Sequence, residues 1–261
     1  MIGVAGCGRM GLPMLRNLQA AGFDARGFDM RASVGVGTDA GDFANGLTTL
    51  MTVVRDAAET DALLFDDQAL SIRAAALQRI VICSTLSPIY VKSLRDRIPP
   101  QIALVDAPMS GAQVKAKAGT LTFMTGGDIT PIRPLLNAMG TAIHEMGAFG
   151  AGMTAKVLNN LLAASHTAMT RLVLDWADAQ NMDEGRLLAL INAASGQNWL
   201  ASGFDEIEFA RDGYATDNSI GILEKDVAAA LDLATDAAAL PRAVQTAIRN
   251  LTPRGKPPGA S

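Results

Sequence analysis

Two cysteines, two histidines and no cluster of basic residues leave this sequence short of several kinds of chemistry. Cys7 and Cys83 lie far apart and form no C-x-x-C pair. They read as small buried residues of a chain kept in a reducing compartment, not as a disulfide. His144 and His166 are too few and too separated for a histidine metal site, and no metal is expected. A formal net charge of -4 without a basic stretch argues against nucleic acid as the main partner. No run approaches the roughly 18 apolar residues of a membrane span. The Ala-rich stretch from Asp226 to Leu240 is broken by Asp232 and Asp236, and it reads as an amphipathic helix. The apolar start at Met1 has no charged n-region, which predicts no secretory leader and a cytoplasmic location. No internal repeat is present.

What the sequence does hold is apolar content and alternation. Its 261 residues are 49% hydrophobic and 18% charged, enough for one large domain or two smaller ones with a sizeable core. "MIGVAG" reads as a strand and "GLPMLRNLQAAG" as the helix after it, with Gly22 as a stop just past its end. "DARGFD", "TLMTVV" and "RIVICST" read as further strands, with helices at "AAETDALLFDD" and "PIYVKSLRDRI". "IALVDAPM" and "GTLTFMTGG" follow. This order predicts a mainly parallel sheet with helices on both faces.

From Ala151 onward the pattern is helical almost throughout. "AGMTAKVLNNLLAASHTAMTRLVLDWADAQ" is long enough for one helix of about seven or eight turns. Further helices are expected over 183–194, 198–211 and 220–238, with "ASGQNW" also read as helical. The change of pattern falls at "HEMGAFGAG", read as a glycine-rich hinge that divides the chain into 1–148 and 149–261. The tail "TPRGKPPGAS" has the composition of a frayed end.

Gly6, Gly8 and Gly11 match G-x-G-x-x-G between the first strand and the first helix. The first glycine permits the tight turn, the second lets backbone approach a pyrophosphate, and the third allows close helix–strand packing. Phosphates would then meet free N–H groups at the helix start. Asp29 follows Gly11 by 18 residues, near the spacing of the acidic residue that binds an adenosine ribose and repels a 2′-phosphate. That favours NAD over NADP, although the nearby Arg31 could pair with a phosphate. A purely structural turn and a surface Asp are the competing readings.

Two later segments carry chemistry. In "DAPMSGAQVKAKAGTLTFMTGG", Ser110 offers a hydroxyl, and Gly111 and Ala112 offer backbone N–H groups that could hold a carboxylate; a plain strand-end turn is the alternative. In "GAGMTAKVLNN", Lys156 and Asn160 are four apart and share a helix face. A lysine in such a helix ordinarily snorkels to water. Near the helix start, however, the dipole and burial both disfavour its charge, which suits proton transfer near neutral pH. Lys225 and Asp226 in "EKDV" read first as a solvated helix face.

Taken together, these segments resemble the β-hydroxyacid dehydrogenase family. "GVAGCGRMG" is similar to its G-x-G-x-M-G turn, "DAPMSGAQVKAKAGTLTFMTGG" to its D-A-P-x-S-G-G…G-T-L-T…G-G segment, "GAGMTAKVLNN" to its G-x-G-x-x-x-K-x-x-N-N helix, and "EKDV" to its K-D pair. The resemblance covers nearly the whole chain. It implies an α/β fold: an N-terminal Rossmann-type, doubly wound, mainly parallel sheet, then an all-helical C-terminal domain joined by a long interdomain helix. It also implies Lys156 as catalytic acid/base, a substrate carboxylate held by Ser110, Gly111 and Ala112, and Asn160 bonded to substrate and orienting Lys156. The cofactor, NAD or NADP, would meet Gly6, Gly8, Arg9, Met10, Gly11, Asp29, Met30, Arg31, Ser84, Thr85 and Lys225.

Four positions depart from the family pattern. Ala112 replaces a second glycine, Ile82 an acidic residue, Gln197 an arginine and Asn218 an aromatic. Ala112 adds a methyl to the anion site, and Asn218 is expected to make the substrate pocket more polar. The expected activity is hydride transfer between NAD(P) and a small β-hydroxyacid, in a cleft between the two domains. The expected assembly is a homodimer or homotetramer, because the Ala-, Leu- and Met-rich helices would otherwise expose apolar faces. Two rivals remain: a dinucleotide-binding sensor without catalysis, and an imine reductase, whose family generally carries Asp or Tyr in place of Lys156.

Overall fold

The computed structural model describes residues 1–234 and 238–255, and the chain divides into two compact units, Met1–Lys156 and the part from Val157 onward. In chain order the first unit opens with β1 (Ile2–Ala5), α1 (Gly11–Ala20), β2 (Ala25–Phe28), β3 (Val36–Gly37) and α2 (Ala40–Ala44). It continues with β4 (Thr49–Thr52), α3 (Ala57–Leu64), α4 (Leu70–Arg73), β5 (Arg79–Ile82), α5 (Pro88–Arg97) and β6 (Ala103–Asp106). Then come β7 (Met109–Ser110), α6 (Ala112–Ala118), β8 (Leu121–Gly126), α7 (Arg133–Met139) and β9 (Gly140–Gly147).

The strands form one mainly parallel sheet in the order β3-β2-β1-β4-β5-β6-β8-β7, with β9 paired to β8. β8 runs antiparallel to β6 and β7. Strands with helices on both sides must be apolar on both faces, and alternate residues show it. Ala5, Leu50, Ile80, Ile82 and Leu104 enter one core with Phe43, Leu64 and Val91. Val4, Met51, Val81 and Val105 enter the other with Met14, Leu18 and Phe123. β1, β2, β4, β5 and β6 are parallel, so their carboxyl ends share one edge. The chain leaves β1 toward β2 on one side, and β4 lies on the other. That is the topological switch point where such sheets bind ligands.

The long helix α8 (Ala151–Asp178) begins in the first unit. Its body belongs to the second unit, with α9 (Glu184–Ala193), α10 (Trp199–Ser202), α11 (Ser219–Leu231) and α12 (Ala239–Arg249). Ala164 and Ala168 of α8 pack with Ile220, Leu223, Val227, Val244 and Ile248. Leu174 packs with Leu188, Leu200, Phe204 and Ala210. None of the described helices is long and apolar enough to cross a membrane.

Several expectations are corrected. His144–Gly147, read as part of a hinge, lies in β9, whose register follows β8. "ASGQNW" is a turn between α9 and α10, not a helix. The helix expected over 198–211 ends at Ser202, and the chain turns through to Asp212. That stretch is held by Arg171, a fully buried side chain of α8. Its guanidinium donates to the carbonyls of Ala210 and Asp212, both at 2.9 Å, and of Thr252 at 2.5 Å. The helix expected over 220–238 stops at Leu231; a new one begins at Ala239, and residues 235–237 lie outside the described part.

The start of the tail is not frayed. Thr252 is held by Arg171, and Arg254 pairs with Asp175, Asp178 and Glu184 at 2.7–2.8 Å. The end of the tail, 256–261, lies outside the described residues.

Replacing Arg171 by Met should leave three inward carbonyls without their donor. At roughly 1–3 kcal/mol for each stranded buried group, a loss of about 3 kcal/mol or more is expected. Urea unfolding monitored by far-UV circular dichroism measures it.

Candidate active site

The turn after β1 is built by steric demand. Gly6 has φ +92°, and a Cβ there would sit 2.5 Å from the Val53 carbonyl oxygen. A Cβ at Gly11 would sit 2.0 Å from the Gly6 oxygen. Gly8 differs: a Cβ there meets nothing within 4 Å. The first and third glycines therefore close the turn, and the second leaves an open approach to its backbone. α1 starts at this point with no side-chain cap at Met10, so the helix presents its N-terminal amides and positive dipole end to a ligand. Arg9 is exposed at the rim. Cys7, inside the turn, is no nucleophile. Its thiol donates to the Val4 carbonyl at 3.4 Å, and burial pushes it up to about 11. Burial likewise pushes Cys83 up to about 12.

Asp29 sits just past β2, its N–H bonded to the Gly37 carbonyl at 3.1 Å. Its carboxylate accepts the Arg31 backbone N–H at 2.9 Å, and the Arg31 Nε lies 3.7 Å away. The Asp29 side chain is only 12% exposed while that of Arg31 is 84% exposed, so the acid is fixed and the base is at the surface. Met30 is exposed beside them, its sulfur 3.5 Å from the Gln68 amide. Ser84 follows β5, buried, with its hydroxyl 3.5 Å from the Thr52 carbonyl; Thr85 is next. All these residues lie at the carboxyl edge of the sheet. A dinucleotide fits this set: open backbone at Gly8, an uncapped helix start, and a fixed carboxylate one strand away.

The next strand end, at β6, holds the start of α8. Asp106 is wholly buried, and its two carboxylate oxygens accept the N–H groups of Gly150 at 2.6 Å and Met153 at 2.5 Å. Gly126 and Gly152 leave it room, since Cβ atoms there would approach its oxygens to 2.4 and 2.9 Å. Burial holds the Asp106 carboxyl above its ordinary value, against the opposing pull of these N–H groups. This acid was visible in the sequence only as the first letter of a motif.

Ser110 lies in β7 opposite Thr122. Gly111 has φ +133° and Ala112 φ +52°. Both belong to the left-handed range, which costs a residue with a Cβ about 1–2 kcal/mol. The family's second glycine thus has a backbone reason, and Ala112 takes the same conformation with strain.

Lys156 does not snorkel. It is 7% exposed, one turn beyond the amides that Asp106 caps. One further turn along α8, Asn160 is buried and donates through Nδ2 to Asp226 Oδ2 at 2.6 Å. Its carbonyl oxygen accepts from Asn159 at 3.2 Å, so the amide is fixed in one orientation. Asp226 is therefore a buried acid of α11, not part of a solvated face. The apolar positions Ile220, Leu223 and Val227 around it on α11 were the available signal. Lys225, its neighbour, is exposed.

Asn218 has a structural task of its own. It caps α11, accepting from Gly221 and Ala215 and donating to the Gly213 carbonyl at 2.8 Å. Ile82 is a core residue of β5, and Gln197 is exposed in a turn.

Comparisons with known proteins give the family and the fold. Residues 1–147 match the family model described as the NAD binding domain of 6-phosphogluconate dehydrogenase. Residues 150–255 match that described as the NAD-binding domain of NADP-dependent 3-hydroxyisobutyrate dehydrogenase. The chain is 32% identical to an NAD-dependent L-serine dehydrogenase of Pseudomonas aeruginosa, over 76% of this chain and 71% of that one. It is 30% identical to a 3-hydroxyisobutyrate dehydrogenase of the same organism, over 88% and 84%. It is also 30% identical to an L-threonate dehydrogenase of Cupriavidus necator, over 89% and 83%. Among solved structures, a 3-hydroxyisobutyrate dehydrogenase of Mycobacterium tuberculosis with L-serine shares the fold, with TM-score 0.81 at 24% identity over 96% and 95% of the two chains.

The two outer glycines and the middle one should separate experimentally. Gly8→Ala places its methyl in open space, so the thermal midpoint should stay within a few degrees while dinucleotide affinity falls at least tenfold. Gly11→Ala drives a methyl into the Gly6 carbonyl and should lower stability itself by about 1–3 kcal/mol. Thermal melts and NADH fluorescence titration on both variants check this.

Proposed function

The chain belongs to the β-hydroxyacid dehydrogenase family of NAD(P)-dependent oxidoreductases, and from that premise we propose that it interconverts a small 3-hydroxycarboxylate and its semialdehyde or keto form, with Lys156 as acid/base. The observation that carries this reading is the burial of Lys156 one turn before an asparagine whose amide is locked by Asp226. When bound, the dinucleotide supplies the hydride acceptor or donor. Lys156 takes the proton of the substrate hydroxyl during oxidation and returns it during reduction, within about 3 Å of that oxygen. Ser110, Gly111 and Ala112 hold the substrate carboxylate. Asn160 donates to the substrate and keeps the lysine in register. Gly6, Gly8, Arg9, Met10 and Gly11 cradle the pyrophosphate; Met30, Ser84, Thr85 and Lys225 line the rest of the cofactor's path. The protein is a cytoplasmic homo-oligomer on this reading, and the division of labour falls near 148/149.

NAD is the preferred cofactor. The nearly covered Asp29 carboxylate would accept ribose hydroxyls and repel a 2′-phosphate. Arg31, its surface partner, is turned toward Asp29. The rival reading as a non-catalytic sensor drew on Ile82, Ala112 and Asn218. Ile82 and Asn218 are accounted for by the core and by a helix cap, which leaves the strained Ala112 as its support.

Lys156→Ala should lower turnover by about 10²–10⁴-fold, the usual worth of a positioned acid/base, while NADH binding changes less than threefold. The assay follows NADH absorbance with 3-hydroxyisobutyrate, L-serine and L-threonate. Undiminished turnover in the variant would remove Lys156 from its role, and NADH binding without turnover on any member of a wider hydroxyacid panel would favour the sensor. Asp29→Ser should move the ratio of kcat/KM for NAD over NADP toward NADP by at least tenfold, about 1.4 kcal/mol of discrimination. An unmoved ratio would assign the preference elsewhere.

A further inference from the structure

Gln68 is buried without the hydrogen bonds that a buried amide ordinarily has. It is 8% exposed, and its Nε2 donates to the Met30 sulfur at 3.5 Å. A thioether is a weak acceptor. Among the described residues, its Oε1 accepts no hydrogen bond. Buried polar side chains normally find a better partner than this. The backbone nevertheless holds the residue firmly. The Gln68 N–H bonds to the Ala62 carbonyl of α3 at 3.0 Å. The next carbonyl, that of Ala69, accepts from Ile72 and Arg73 at 3.0 and 2.9 Å and so starts α4. Ala69 itself is left-handed, with φ +46°, a conformation unfavourable for a residue with a Cβ. A strained turn thus presents an amide that the fold leaves almost unused, a combination found where ligands are held.

We propose that Gln68 reads the adenine base of the dinucleotide, with Oε1 accepting from N6 and Nε2 donating to N7. The place follows from the ribose. Met30 adjoins Asp29, the carboxylate assigned to the ribose hydroxyls, so an amide 3.5 Å from the Met30 sulfur lies beside the sugar that carries the base. All three residues belong to the first unit. Adenine shows a donor at N6 and an acceptor at N7 side by side, and one side-chain amide matches both. A carboxylate would offer two acceptors and a lysine only donors, so neither has this pairing. A hypoxanthine ring shows acceptors at both places, O6 and N7, and would leave Oε1 facing an oxygen. Met30, 69% exposed, supplies the flat contact, because its polarisable sulfur packs well on an aromatic ring.

Asp29 and Gln68 then divide the work between sugar and base, on the cofactor reading already proposed, on which this assignment rests. The full chain is titrated with NADH and with reduced nicotinamide hypoxanthine dinucleotide, followed by dihydronicotinamide fluorescence, so that no substrate is needed. The wild type should bind NADH at least tenfold more tightly, the lower end of what a paired amide–base contact discriminates. Gln68→Met is similar in size and can make neither bond. It should weaken NADH about tenfold and bring the two affinities within threefold of each other, with unchanged far-UV circular dichroism. Equal affinities in the wild type overturn base reading. A folded variant that discriminates as the wild type does overturns Gln68 as the reader and leaves the cofactor reading standing. A wild type that binds neither dinucleotide overturns both.

If the variant does not fold, the wild type decides alone, by displacement of NADH with three nucleotides. AMP carries both groups, IMP lacks the N6 donor, and 7-deaza-AMP lacks the N7 acceptor. AMP should compete at least threefold more strongly than either analogue, because each analogue forfeits one end of the amide contact. Either analogue competing as well as AMP overturns the paired contact.

Discussion

A single buried carboxylate ties the sheet to the first turn of the helix that bears Lys156. Asp106 ends β6, and its two oxygens take the N–H groups of Gly150 and Met153. A helix of 28 residues begins with amides that have no partner inside the helix. Here a strand end satisfies two of them. The contact holds the first turn of α8 at the end of β6, one turn before Lys156. Its tightness is written into the surrounding glycines. Gly126 and Gly152 could not carry a Cβ without meeting the carboxylate or nearby backbone. The same burial that raises the acid's proton affinity makes its hydrogen bonds strong.

Around that contact, the first unit follows from general rules with few exceptions. Parallel strands buried on two faces give continuous apolar runs, and their carboxyl ends gather on one edge. The glycine turn, Asp29 and Ser84 reach that edge by topology alone. The second unit depends more on polar anchors. Arg171 gathers carbonyls from two separate stretches, Arg254 and Arg211 share Glu184, and Asn160 and Asp226 form a buried pair. In a unit of short helices, such anchors specify where each helix stops.

This difference explains which parts of the molecule were legible in the sequence. Gly6, Gly8 and Gly11 were read correctly as a turn because much of their constraint is local: Gly6 has φ +92°, and a Cβ at Gly11 would meet the Gly6 carbonyl, while only the contact of Gly6 with Val53 comes from a distant strand. Gly22 stops α1 for an equally local reason, its φ of +85°. The helix over 198–211 was misread because the stretch after Ser202 is held by Arg171, a residue at least 27 positions away whose burial no pattern announces. The capping role of Asn218 was not legible in the sequence because its three backbone partners become evident only once α11 has a defined start.

By itself the sequence determined the alternation of strands and helices, the phosphate-type turn, the family, and the spacing of Lys156 and Asn160 on one helix face. Each of these depends on residues close together or on periodicity, and local sterics suffice to enforce them. Only the tertiary structure decided that Lys156 is buried, that Asp106 caps its helix and that Asp226 faces inward. Those facts depend on which face of a helix meets which neighbour. An amphipathic pattern narrows that choice, but the choice is made by the packing of distant segments and by the need of buried polar groups for partners.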